Sequence, residues 1–76
     1  MHTYRVWSRV TPLPDDRYLC VVVSIPDSDG DEARAESESR VLSSQHAARD
    51  ASASMARAMA DRIRARGDQV TAIISS

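Results

Sequence analysis

From residue 2 to residue 11 the chain alternates. Tyr4, Val6, Ser8 and Val10 fall on one side, and Thr3, Arg5, Trp7 and Arg9 on the other. A period of two, rich in valine, threonine and aromatics, predicts a strand. Residues 11–16 break it, because Pro12 and Pro14 fix φ and lack an N–H, while Asp15 and Asp16 suit a turn. A second strand is predicted over 17–25. Leu19, Val21, Val23 and Ile25 share one face, with Tyr18, Cys20, Val22 and Ser24 opposite. The polar run from Pro26 to Asp31 ends it as a loop. The two strands make a hairpin with a long, proline-stiffened turn.

Residues 32–43 admit two readings. Glu, Ala and Arg favour a helix starting near Asp31. From Ala35, however, Ala35, Ser37, Ser39 and Val41 alternate with Glu36, Glu38, Arg40 and Leu42. No apolar stripe of period 3.6 is present, so the preferred reading is a third, polar strand over 35–42. From Ser44 the period changes. At 100° per residue, Ala48, Ala51, Ser52, Met55, Ala58, Met59 and Ile63 form one stripe. Arg49, Asp50, Ser54, Arg57, Asp61 and Arg64 lie opposite. Ser43 or Ser44 can cap this helix, Arg62, Arg64 and Arg66 complement its last turn, and Gly67 can stop it. Residues 69–75 add a short strand, with Val70, Ala72 and Ile74 on one face.

The expected fold is therefore α+β: a single domain over residues 1–76, with a three-stranded antiparallel meander, one amphipathic helix across one face and a short C-terminal strand (βββαβ). A right-handed crossover would bring the last strand beside the first, parallel to it. The alternative joins residues 32–66 into one long helix, giving ββαβ.

Composition narrows the function classes. At 76 residues the chain is near the lower limit for a domain without a staple. Its one cysteine excludes an internal disulfide. All ten cationic side chains are arginine, the usage expected of a GC-rich bacterial genome. A net charge of −1 gives no general attraction to nucleic acid or anionic lipid. The longest apolar run, residues 19–23, falls far short of the roughly 20 residues of a membrane span. No signal-peptide pattern is present, so a cytoplasmic protein is expected, without membrane partners or a cofactor.

Thr11-Pro-Leu-Pro-Asp-Asp-Arg-Tyr18 and Ile63-Arg-Ala-Arg-Gly67 carry a resemblance. The order strand, turn, "RY"-led strand, strand, then a helix ending in Ile-x-x-x-Gly resembles small uncharacterised bacterial one-helix β-sheet domains. It implies the βββα fold and no chemistry.

The sharpest candidate metal site is Asp27, Asp29, Asp31 and Glu38. Counted from Asp27 they fall at positions one, three, five and twelve of an EF-hand loop. Glu32 stands where that loop needs glycine, Arg34 where it needs an apolar residue, and Pro26 ends a strand where it needs a helix. An acidic, solvated turn is therefore the preferred reading of the run, and no metal is expected. His46 and Asp50 stand four apart at the helix start without a third ligand. Cys20 lacks a histidine at a suggestive spacing, the serines lack a G-x-S-x-G elbow, and two glycines build no phosphate loop. Arg66-Gly67-Asp68 matches an adhesion tripeptide, which a helix C-cap explains. A non-enzymatic protein is expected.

One helix covers one sheet face only. If Leu19, Val21, Val23 and Ile25 meet the helix, the open face carries Arg5, Trp7, Arg9, Tyr18 and Val22. Tryptophan, tyrosine and arginine are the types enriched at interface hot spots. The expected role is a protein-interaction module, with a protein partner or a second copy as a homodimer. The plain alternative puts Trp7 inward with the register reversed, or beneath the C-terminal segment. A second class, an RNA-binding domain, would stack bases on the aromatics and hold phosphates with arginine. The βββα order also resembles the core of double-stranded RNA-binding domains. Those domains add an N-terminal helix and a lysine-rich helix start, where this chain has Ser44-Gln-His-Ala-Ala48. Six acids against one arginine over residues 27–38 oppose nucleic acid further.

Overall fold

A computed structural model describes residues 2–27 and 34–75. The elements run β1 (Thr3–Leu13), β2 (Arg17–Pro26), β3 (Glu36–Leu42), α1 (Gln45–Ala65) and β4 (Gln69–Ser75). The fold is α+β, with four strands in one sheet of order β3-β2-β1-β4. Both β1–β2 and β2–β3 are antiparallel, whereas β4 lies parallel to β1, so the sheet is mixed. The long-helix ββαβ alternative is overturned. Glu36–Leu42 pairs with β2 along its whole length, leaving the helix to start at Gln45.

Local chemistry explains the element ends. Leu13 pairs with Arg17, so the hairpin turn is only Pro14, Asp15 and Asp16, shorter than expected. Asp15 and Asp16 both adopt positive φ, at 67° and 56°, which aspartate tolerates better than most residues. Pro12 stays within β1 because β4 pairs with β1 only as far as Ser8, leaving a free side for a residue without an N–H. The Ser44 hydroxyl accepts from the Ala47 amide at 3.1 Å and starts α1. At the other end, Gly67 takes φ 94°. The Gly67 amide then donates to Arg64 and the Asp68 amide to Ile63, a Schellman closure.

The core is the interface between α1 and the sheet. Tyr4, Val6, Cys20 and Val22 pack beneath Met55, Ala56, Met59, Ala60 and Ile63, with Leu42 and Val70 at the margins. The helix buries Ala56 and Ala60 where the periodic stripe had Ala51 and Ala58; Ala58 is exposed and Ala51 half-buried. The true stripe is centred on the line through Ser52, Met55, Met59 and Ile63.

One face assignment is corrected. Tyr18, Cys20 and Val22 of β2 lie on the helix side, and Leu19, Val21, Val23 and Ile25 lie outside. Pairing decides this, because Val6 stands opposite Ser24, Ser8 opposite Val22 and Val10 opposite Cys20. Val6, Ser8, Cys20, Val22 and Ser24 are all buried. On the helix side β2 carries the small Cys20, Val22 and Ser24, all buried beneath a helix face of mostly alanine, serine and methionine. The Cys20 thiol contacts the Met55 sulfur at 3.9 Å.

Candidate interaction face

The open face follows from register alone. Trp7 stands opposite Val23 on one side and Ile74 on the other. Arg5 stands between Ile25 and Ala72, Arg9 opposite Val21, and Leu19 opposite Val41. This face therefore carries the bulkier aliphatic residues of β2, which α1 does not cover. Ile25, Val41 and Ile74 are 42%, 50% and 41% exposed. Arg5, Trp7, Ile25 and Ile74 enclose a depression of about 350 Å³.

Of the five residues expected on this face, the structure brings Arg5, Trp7 and Arg9 together there. Val22 is fully buried under α1, and Tyr18 is half-buried on the helix side, opposite Leu42. Both are removed from the face, and Val21, Val23, Ile25 and Ile74 take their place. The alternative that turned Trp7 inward does not hold.

Arg5 has an acidic neighbour. Its Nε lies 2.8 Å from Asp27 Oδ1 at the edge of the face. Asp27 Oδ2 lies 2.8 Å from the Thr71 hydroxyl, whose oxygen is also 3.2 Å from the Tyr4 carbonyl. Thr71 is the extra residue of a bulge, since Tyr4 pairs with Val70 and Arg5 with Ala72. The bulge shifts the phase of β4: Val70 packs with Tyr4 on the helix side, whereas Ala72 and Ile74 lie beside Arg5 and Trp7 on the open face, so the single face expected for Val70, Ala72 and Ile74 is not kept.

Of the four candidate metal ligands, the two described ones, Asp27 and Glu38, lie on different sides of the sheet. Asp27 is paired with Arg5, and Glu38 accepts from Arg62 at 2.6 Å on the helix side. Asp29 and Asp31 lie outside the described residues. Among the described residues, no three His, Cys, Asp or Glu side chains gather to hold a metal. His46 and Asp50 pair at 3.3 Å in full solvent contact. No helix is long and apolar enough to cross a membrane.

Two features had no signature in the sequence. Arg66, expected only to complement the helix end, reaches Glu36 Oε1 at 3.0 Å and Asp68 Oδ2 at 2.9 Å. Its guanidinium also sits 5.1 Å above the Tyr4 ring. The Glu36 bond first, then Asp68, hold this guanidinium further in its charged form. The Asp68 carboxylate is held below its usual range, first by the His2 backbone N–H and then by Arg66. The second feature is a cleft of about 500 Å³ between the start of α1 and the far end of the hairpin, with Val10, Pro12, Tyr18, Arg49 and Ser52 among its walls. The hairpin, the start of α1 and the end of β4 meet in it, which is beyond the reach of local periodicity.

The fold and face together define a one-helix, four-stranded α+β sheet domain with an uncovered apolar face. No family model, curated protein or solved structure matches the chain.

Proposed function

We propose that this chain is a non-enzymatic interaction module, and that its open sheet face pairs with a second copy. The observation that carries the reading is the apolar surface around Trp7, bordered by Arg5 and Arg9. Large exposed apolar surfaces on small domains mark protein contacts. The four strands are 11, 10, 7 and 7 residues long. At about 3.4 Å per residue and about 4.8 Å between strands they spread over about 570 Å². Two such faces together exceed the roughly 1,000 Å² expected of a specific interface. The face carries no carboxylate at its centre, so pairing two copies buries no unmatched acid.

The RNA-binding reading would use the same Arg5, Trp7 and Arg9. The Arg5–Asp27 pair weakens it, because a phosphate must displace a carboxylate already in place.

The test is light scattering after size exclusion, on the native chain and on Trp7→Ala. A dimer that dissociates at least tenfold more readily in the variant, with unchanged circular dichroism, supports the reading. A native chain that stays monomeric at about 1 mM, weaker than any working dimer, overturns self-pairing. RNA binding that weakens steeply with salt would favour the second reading instead.

A further inference from the structure

We infer that the cleft under the start of α1 binds a small amphipathic carboxylate, with an apolar tail inside and its anionic head at Arg49. The cleft has a structural cause. Strand β4 supports β1 only over Thr3–Ser8, while the hairpin continues to Leu13 and Arg17. The start of α1 lies over that continuation. Its bulky core residues begin only at Met55; before that it turns in Ala48 and Ser52, which are too short to fill the gap.

The walls divide by chemistry. Val10, Pro12 and the Tyr18 ring form an apolar side, and Ala53 adds a methyl group from the helix. About 500 Å³ is within the size range of small-molecule sites. Among the described residues, Arg49 is the one charged side chain in the lining, which Ser75 of β4 also joins. Among the described residues Arg49, like Arg9, Arg17, Arg40 and Arg57, makes no ion pair, and of these it alone lines the cleft. The first turn of α1 contains no acid, and the nearest one along the helix, Asp50, is paired with His46. Ser52, only 7% exposed, places a hydroxyl on the wall, and Gln45 adds an amide at the rim. A cleft with one apolar side and a guanidinium in its lining suits a monoanion with an apolar tail. A planar carboxylate can take two parallel hydrogen bonds from the guanidinium.

The experiment is a titration of the full chain with phenylacetate, followed by amide proton and nitrogen shifts. Saturating changes are expected at residues 10–18 and 45–53. Phenylacetamide, neutral and of the same shape, should bind at least about tenfold more weakly, for want of the charged bond. Arg49→Gln should lose affinity for phenylacetate by a similar factor and leave the amide's affinity unchanged. Because Arg49 is exposed, its variant should otherwise keep the native spectrum. Ala53→Leu, at an exposed position on the wall, should weaken both compounds by filling the space. The inference is overturned by any of three results. These are no saturable change up to about 10 mM, equal binding of acid and amide, or changes confined to the opposite face around Trp7.

Discussion

Arg66 Nη1 lies 3.0 Å from Glu36 Oε1, linking the end of the helix to the outermost strand on the far side of the sheet. The same guanidinium holds Asp68 ahead of β4 and covers Tyr4 of β1. One side chain thereby connects three strands at the end of the sheet where β1 and β4 begin. Replacing Arg66 with alanine should cost about 1 kcal/mol, since its ion pairs are partly exposed and such pairs are individually weak. Arg66→Lys keeps the charge without the planar fork and should recover only part of the loss. Urea unfolding of the two variants measures both steps, and equal midpoints for all three proteins would show the contacts idle in solution.

Asp68 ties stability to pH. Its carboxylate accepts from the His2 amide at 3.0 Å and from Arg66, and both favour the ionised form. The folded state therefore holds its proton less tightly than the unfolded chain, whose value is near 3.8. The resulting stabilisation is complete above that value and fades as the pH falls through and below it. Thermal unfolding between pH 6 and about pH 2.5 should show the native chain losing more stability than Asp68→Asn. Parallel losses would place the acid sensitivity elsewhere.

Val22 and Val23 test which face of β2 is inside. Val22 is fully buried, whereas Val23 is only half-buried, opposite Trp7 on the open face. Val22→Asp buries an unpaired carboxylate and should abolish folding, because a chain of this size has only about 4–11 kcal/mol of stability to lose. Val23→Asp should keep the native circular dichroism and a cooperative transition. On the reading proposed above it should also weaken self-association. A folded Val22→Asp protein would reverse the assignment.

The helix ends predict two smaller effects. Ser44→Ala removes the bond to the Ala47 amide and should cost about 1 kcal/mol. Gly67→Ala should cost about 1–2 kcal/mol through its positive φ alone, because an added Cβ meets no atom within 4 Å. Chemical denaturation of each variant, and of the pair, should give additive losses, since the two sites share no partner.

The order and approximate ends of the five elements are legible along the chain because their causes are local. Alternation at Tyr4–Val10, the Ser44 cap, the methionine and alanine spacing of α1 and the stop at Gly67 each act within a few residues. Trp7 on the outside is legible for the same reason, since Tyr4, Val6 and Val10 give β1 one mostly apolar side. The face of β2 was not, because Leu19, Val21, Val23 and Ile25 and their alternates Tyr18, Cys20 and Val22 are both apolar. Period two then marks a strand without saying which side is buried. That choice is made across the sheet, where Val6 meets Ser24 and Ser8 meets Val22 beneath α1. The Arg66 contacts and the cleft at Arg49 are likewise tertiary. They join residues from opposite ends of the chain, and only the packing of α1 against the sheet brings those residues within reach.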